Sequence, residues 1–205
     1  MTAVSLVEGA EGLLVDLDGT LVDSTAPVHR VWTAFAHRHG LDPAHVLRFA
    51  QGRPSRETVG RLAPEADLAA EAATVEAGEV GDPEGVVALP GAAALLTADR
   101  RLAIVTSCST ALARVRLRAA GLPEPGVLVS SDMIKRGKPQ PDCFVLGAAR
   151  LGVAPQRCVV LEDAPAGIAA GRSAGARVIA LRTTHRDSEL SEADAIIENL
   201  ASLSQ

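Results

Sequence analysis

Two aspartates, Asp16 and Asp18, stand one residue apart in the stretch LLVDLDGTLVDS, directly after an apolar run. Like charges at this range repel each other, and a buried carboxylate without a partner is costly. The stretch therefore predicts one of two things. Either it is a solvated turn, or it belongs to a site that also holds positive charge.

Polar side chains also close the other apolar runs of the chain. Thr106 and Ser107 end the run LAIVTS, and Lys138 lies in KRGKP, beyond the run VLVSSD. Glu162 and Asp163 end the run CVVLED. Because the carboxyl ends of parallel strands meet at one edge of a sheet, we expect carboxylates, hydroxyls and an ammonium to converge there.

This set suits phosphoryl transfer through a covalent aspartyl phosphate. We expect Asp16 to be the nucleophile, because a carboxylate can split one difficult step into two easier ones. Mg²⁺ would offset the repulsion between this carboxylate and a phosphate, with Asp16 and Asp163 as its side-chain ligands. Lys138 and Thr106 would hold the phosphoryl oxygens. Asp18 would protonate the leaving alcohol and then deprotonate the attacking water.

The elements that must position these residues follow from hydrophobic periodicity. Amphipathic stretches, bounded by proline at their start or glycine after their end, predict helices. Between them lie short runs rich in Val, Ile and Leu, which predict strands buried on both faces of a parallel sheet. The alternation predicts an α/β, doubly wound fold. The predicted strands span residues 13–16, 102–107, 127–132, 158–163 and 178–183.

One segment interrupts this alternation between the first two predicted strands. It contains no convincing strand, whereas Trp32 and Phe35 recur at helical spacing, and Ala-rich stretches follow. We predict an all-helical insertion over residues 22–88, with 1–21 and 89–205 forming the core. Insertions at the carboxyl ends of strands lie over the binding crevice of an open α/β sheet.

The composition narrows the classes of partner. The chain has 205 residues, of which 47% are hydrophobic and 2% aromatic, and its net charge is −5. The chain has few aromatic rings and no basic tract. We therefore expect that it binds neither a nucleic acid nor a membrane. Cys108, Cys143 and Cys158 form no CxxC pair, which predicts a reduced, cytoplasmic protein. We expect no signal peptide and no membrane span.

The whole chain resembles the haloacid dehalogenase-like hydrolase superfamily through four motifs. These are DLDGTLVDS, the Thr106 of AIVTS, the Lys138 of RGKPQPD, and VVLEDAPAGI. The resemblance implies a Rossmann-like core that binds Mg²⁺ and carries a small helical cap. It also implies that the backbone carbonyl of Asp18 binds the metal. Asp163 would complete the metal site. Glu162 would be either a neighbouring ligand or a residue that contacts the ligands without binding the metal itself.

Within this superfamily, GKPQPDCFVLGAARLG and VVLEDAPAGIAAGRSAG resemble small phosphatases of hexose, deoxyhexose and polyol phosphates. The cap would then select the leaving group through Gly52, Arg53 and Arg56, and Ser107 would bind substrate from the core. Related polyol phosphatases often carry a histidine where this chain has Gln51, which leaves the exact substrate open. We expect a small-molecule sugar or polyol phosphate as substrate, and a monomer or weak dimer.

Two alternatives remain. A sugar-phosphate mutase of the β-phosphoglucomutase type shares the chemistry, but its assisting cap histidine corresponds to Val28 here. His29 is one step away, which predicts a different helical face. A phospho-signalling receiver also groups aspartates, Thr or Ser, Lys and Mg²⁺ on a parallel sheet. The DxDGT arrangement and the insertion argue against a receiver, and Asp18 argues against a dehalogenase.

Overall fold

The core of the protein is a six-stranded parallel sheet, as seen in a computed structural model that describes residues 2–50 and 53–203. The described strands, in chain order, are β1 (Gly12–Val15), β2 (Val22–Asp23), β3 (Val87–Ala88), β4 (Leu102–Val105), β5 (Val127–Val129), β6 (Cys158–Glu162), β7 (Arg177–Leu181) and β8 (Ala195–Ile197). The sheet has the order β5-β4-β1-β6-β7-β8, and β2 pairs separately with β3 as an antiparallel ribbon. The predicted α/β, Rossmann-like fold is confirmed.

Helices follow most of these strands. Their bounds are α1 (Ala3–Glu8), α2 (Thr25–Arg38), α3 (Pro43–Ala50), α4 (Ser55–Leu62), α5 (Leu68–Gly81), α6 (Ala92–Thr97), α7 (Thr110–Ala119), α8 (Asp142–Leu151) and α9 (Pro165–Ser173). The Ser109 hydroxyl caps α7 by accepting from the amide of Leu112, and Gly152 follows α8 in the left-handed conformation. Among the helices of the described residues, none combines the length and the apolar character needed to cross a lipid bilayer.

The central strands are buried on both faces. Leu13 and Val15 of β1 belong to one hydrophobic cluster, whereas Leu14 points to the other face and belongs to a second cluster. This alternation follows from the two-residue repeat of a strand. Because helices cover both clusters, the loops at the strand ends are the part of the sheet left open for a site.

The structure corrects three details of the sequence prediction. The insertion at 22–88 is not all helical, because it begins at β2 and ends at β3. The strand expected at 127–132 ends at Val129, and a 3₁₀ turn follows it. The sheet also gains β8, whose three residues are too few to give a periodic signal.

Helices α2 to α5 have a hydrophobic cluster of their own. It includes Trp32 and Phe35, whose rings meet edge to face with centroids 5.3 Å apart. Val22 pairs with Ala88 across the ribbon, so the chain enters and leaves this helical segment at adjacent points. That residues 22–88 act as a separate cap remains a prediction.

Candidate active site

The predicted reactive side chains lie at the carboxyl edge of neighbouring strands. Val15, the last residue of β1, is in register with Ile104 of β4 and Leu161 of β6. The residues that follow each of these positions are therefore level with one another, and Asp16 and Glu162 become neighbours. A cavity of about 550 Å³ opens at this edge, between the sheet and the helical segment.

Lys138 lies between two buried carboxylates. Its Nζ donates to Asp16 Oδ1 at 2.5 Å and to Glu162 Oε1 at 2.6 Å, and all three side chains are at least nine-tenths buried. Burial opposes the ammonium charge, but Asp16 and Glu162 outweigh it and raise the pKa of Lys138. The lysine therefore stays charged and fixes the orientation of Asp16.

Backbone groups hold the other end of Glu162. Its Oε2 accepts hydrogen bonds from the amides of Asp163 and Ala164, both at 2.7 Å. Gly167 on α9 makes room for this carboxylate, since a Cβ added there would lie 1.7 Å from Glu162 Oε1. Both oxygens of Glu162 are thus engaged, and the carboxylate serves to orient Lys138.

Asp163 packs against the turn that carries the two N-terminal aspartates. Thr184 donates a hydrogen bond to Asp163 Oδ2, and the Thr183 hydroxyl donates to the carbonyl of Gly19. Gly19 has a φ of 79°, and a Cβ added there would lie 2.2 Å from Asp163 Oδ2. Only glycine allows this turn to approach Asp163 so closely.

The acidic cluster has the composition of a divalent metal site. Asp16, Glu162 and Asp163 each offer a carboxylate oxygen within 4.8 Å of the others. Three buried carboxylates face one ammonium here. Burial, only partly opposed by Lys138, raises the pKa of Asp16 to about 7, and burial with Glu162 and Asp16 raises that of Asp163. The excess negative charge and the oxygen donors fit a hard divalent cation.

Asp18 faces the helical segment rather than Lys138. Its Oδ1 accepts a hydrogen bond from Ser24 at 2.7 Å, and its Oδ2 accepts from Arg116 Nη1 at 2.6 Å. Its side chain keeps 27% of its exposure and lines the cavity. The second aspartate is therefore accessible to a ligand, whereas the first lies deeper.

Two hydroxyls complete the floor of the cavity. Thr106 is 2% exposed, and its Oγ1 accepts from the amide of Cys108 at 3.1 Å, so its proton is available for a further acceptor. Ser107 lines the cavity beside it.

The residues predicted to bind substrate from the cap differ in position. Arg53 lines the cavity, with its guanidinium 4.4 Å from the ring centroid of Phe49. Arg56 is exposed on α4 and is not among the described residues that line this cavity. Gly52 lies outside the described residues.

The sequence reasoning missed several residues of this cavity. Arg116, Glu79 and Arg48 all line it, and so does Trp32, which the sequence placed only on a helix. Val28 and His29 also both line it, although different helical faces were expected for them. A single charged residue within a helical pattern is normally predicted to be exposed to solvent. Hydrophobic periodicity therefore did not indicate that Arg116 and Glu79 are buried in the wall of the cavity.

Comparisons with known proteins show which proteins this chain is similar to. Residues 10–175 match the model of the haloacid dehalogenase-like hydrolase family. The chain is 47% identical to hexitol phosphatase A of Escherichia coli (strain K12), over 93% of this chain and 91% of that one. It is 36% identical to the validoxylamine A 7'-phosphate phosphatase of Streptomyces hygroscopicus subsp. limoneus, covering 91% and 92% of the two chains. The crystal structure of CbbY from Rhodobacter sphaeroides in complex with phosphate superposes with a TM-score of 0.83, at 26% identity, over 95% and 96% of the chains.

Proposed function

The chain belongs to the haloacid dehalogenase-like hydrolases and is a phosphatase, and we propose that it hydrolyses small sugar or polyol phosphates through a phosphorylated Asp16. The observation that carries the proposal is the position of Asp16. Its carboxylate lies at the floor of the cavity, is oriented by Lys138, and adjoins a buried acidic cluster that fits a divalent cation.

In the first half-reaction, an oxygen of Asp16 attacks phosphorus as the bond from phosphorus to the leaving oxygen breaks. Asp18 gives its proton to that oxygen, so the alcohol departs neutral. Lys138 and Thr106 bind phosphoryl oxygens and offset their charge. The products are the free alcohol and an acyl phosphate on Asp16.

In the second half-reaction, water takes the place of the alcohol. Asp18, now ionised, removes a proton from this water as its oxygen bonds to phosphorus and the bond to Asp16 breaks. Inorganic phosphate leaves, and both aspartates return to their starting states. One carboxylate thus serves as acid and base in turn, which is why it must be exposed to the cavity.

We propose Mg²⁺ as the metal ion of this site. Asp16, Asp163 and the backbone carbonyl of Asp18 would hold it, while Glu162 keeps Lys138 in place. When bound, the ion would neutralise charge on the phosphoryl group and on the nucleophile. Mg²⁺ favours such sites because it takes one or two carboxylates together with phosphate oxygens and water.

The upper part of the cavity suits a leaving group rich in hydroxyls. Its lining combines the guanidinium groups of Arg48 and Arg53 with the imidazole of His29 and the indole of Trp32. Such a mixture offers hydrogen-bond donors and acceptors around an apolar wall, as small-molecule sites do. The similar hexitol and validoxylamine phosphate phosphatases support this substrate class.

A phosphate-release screen over hexitol, glycerol and hexose phosphates with Mg²⁺ tests the proposal. We expect many turnovers per protein molecule on at least one of them, and loss of activity on chelation with EDTA. Conversion of β-glucose 1-phosphate to glucose 6-phosphate without free phosphate would instead favour the mutase, whose assisting histidine would be His29. A single labelling event without turnover would favour a receiver.

Replacing the nucleophile gives the sharpest prediction for this mechanism. Asp16→Asn keeps the size and an oxygen for Lys138 but removes the nucleophile, so turnover should fall by a factor on the order of 10⁴ or more. Asp99→Asn is the matched control, because Asp99 is exposed in the turn that leads to the amino end of β4. Near-normal turnover in Asp16→Asn, with circular dichroism unchanged, would refute the assignment.

We also propose that the protein works in the cytoplasm as a monomer or weak dimer. Cys108, Cys143 and Cys158 are free thiols, which suits a reducing compartment. Size-exclusion chromatography coupled to light scattering tests the oligomeric state.

A further inference from the structure

Arg116 is a buried charge on the inner face of α7. It is 4% exposed, and its helix neighbours Leu112, Ala113 and Leu117 are buried apolar residues. An arginine at such a position loses hydration that only close, well-oriented partners can replace. Its partners therefore indicate why it is there.

Those partners come from two different parts of the fold. Arg116 Nη1 donates to Asp18 Oδ2 at 2.6 Å and lies 2.8 Å from Cys108 Sγ, both on the core side. Arg116 Nη2 lies 3.3 Å from Glu79 Oε2, which belongs to α5 in the helical segment. One guanidinium thus connects the second aspartate of the active site to a helix above the sheet.

Glu79 is itself anchored among the helices. It is 5% exposed, and its Oε1 accepts a hydrogen bond from Trp32 Nε1 at 3.2 Å. Trp32 packs in the cluster formed by α2 to α5. The position of Glu79 is therefore fixed by the helical segment and not by the sheet.

We propose that Arg116 is the positioning residue for Asp18, and that Glu79 makes this positioning depend on the docking of α5 against α7. The inference rests on the proposed function, in which Asp18 transfers protons. Ser24 donates to one oxygen of the Asp18 carboxylate, and Arg116 donates to the other, which also accepts from the Cys108 thiol at 3.0 Å. Without Arg116, the carboxylate keeps hydrogen bonds from the neutral donors Ser24 and Cys108 but loses its charged partner, so it adopts other rotamers more often and points less often at the leaving oxygen.

The planar guanidinium is suited to this connection. It presents several donors in a rigid fork, so two carboxylates on different elements are held at a defined angle. When α5 lies against α7, Glu79 orients the fork and the fork orients Asp18. Proton transfer is then most efficient when the helical segment covers the cavity and limits access of bulk water.

The test compares two leaving groups in the first half-reaction, measured in single turnovers with enzyme in excess. A hexitol phosphate releases an alcohol that needs a proton from Asp18. 4-Nitrophenyl phosphate releases a phenolate that departs without one. A defect in positioning the acid must therefore slow the first release much more than the second, whereas general damage to the site slows both.

Arg116→Gln should slow alcohol release by a factor on the order of 100 and change nitrophenolate release only a few-fold. Glu79→Gln, which keeps an acceptor for Trp32, should show the same pattern with roughly a tenfold loss for the alcohol. Arg118→Gln is the matched control, since Arg118 is exposed on the same helix. It should leave both rates unchanged.

Equal losses for the two leaving groups in both variants would overturn the inference, and so would unchanged rates. If Arg116→Gln does not fold by circular dichroism, Glu79→Gln decides alone by the same criterion. Absence of turnover in the unmodified protein on every phosphate ester would refute the proposed function itself. The two failures are therefore distinguishable.

Discussion

Gly167 leaves the space that the Glu162 carboxylate needs in order to orient Lys138. An alanine in a helix is normally more stable than glycine by about 0.5–1 kcal/mol. At this position, however, the added Cβ would lie 1.7 Å from Glu162 Oε1 and 2.0 Å from its Cδ. Steric exclusion of the Glu162 carboxylate should outweigh the gain in helix propensity.

Gly167→Ala should therefore lower the melting temperature and reduce turnover by a factor on the order of 100, because Lys138 loses a partner and shifts. Thermal unfolding and steady-state kinetics measure the two effects. Gly81→Ala is the control, since a Cβ at the end of α5 meets nothing within 4 Å. If both substitutions gave the same small change, Glu162 would not be held as described.

The raised pKa values of Asp16 and Asp163 make the metal-free protein sensitive to pH. Between the ordinary aspartate value of 3.8 and the raised values, about 7 for Asp16, the folded state binds more protons than the unfolded state. The free energy of unfolding therefore falls as pH rises through this range. A divalent cation binds the ionised carboxylates and so opposes the loss.

We predict that Mg²⁺ raises the melting temperature more at pH 8 than at pH 5.5, where protons compete with the ion. Differential scanning fluorimetry with Mg²⁺ or EDTA at both pH values measures this. Asp163→Asn should remove most of the Mg²⁺ effect, and its metal-free form should gain stability over the unmodified metal-free protein as pH rises. A stabilisation by Mg²⁺ that is independent of pH would contradict the assignment.

Among the elements, the helices α2 to α5 and the sheet have separate hydrophobic clusters. Phe35 is fully buried in the first, and Phe144 of α8 is fully buried against the sheet. Each ring contributes about 3–5 kcal/mol to the packing around it. Loss of either ring should therefore first lower the local stability of the cluster that contains it.

Phe35→Ala should increase amide hydrogen exchange in α2 to α5 while β1 and β6 stay protected. Phe144→Ala, its matched counterpart, should increase exchange in the strands as well. Hydrogen exchange read by mass spectrometry separates the two patterns. Equal loss of protection throughout the chain in Phe35→Ala would mean that the helical segment is not an independent unit.

The same elements show what sequence reasoning could reach. Continuous apolar runs identified five of the six strands of the sheet, and Pro and Gly marked the helix ends, because burial and backbone geometry act locally. The sequence did not predict the short strands β2, β3 and β8, because two or three residues are too few to show a periodic pattern. The role of Arg116 was not predicted for a different reason. Its role depends on a partner in α5 that only the tertiary fold brings near.

For the molecule as a whole, the strand order gathers distant motifs into one site. β1 lies between β4 and β6, so residues near 16, 106 and 162 become neighbours although most of the chain separates them. This convergence could be predicted, because parallel strands share one carboxyl edge. The contacts between the helical segment and the core could not, because they depend on how α5 packs on α7.

The β2–β3 ribbon has a consequence for how the specificity of such a protein can change. Asp23 lies opposite Val87 in this ribbon, so the chain leaves the core and returns to it at adjacent points. If residues 24–86 are a separate cap, as predicted, the corresponding segment of a relative would replace them without any change in the strand order of the sheet. The donor segment would need an acidic residue at the position of Glu79. A donor lacking an acid in place of Glu79 would leave the guanidinium of Arg116 with one fewer anionic partner, and the hydrogen bond from position 24 would be the remaining described contact between the exchanged segment and Asp18.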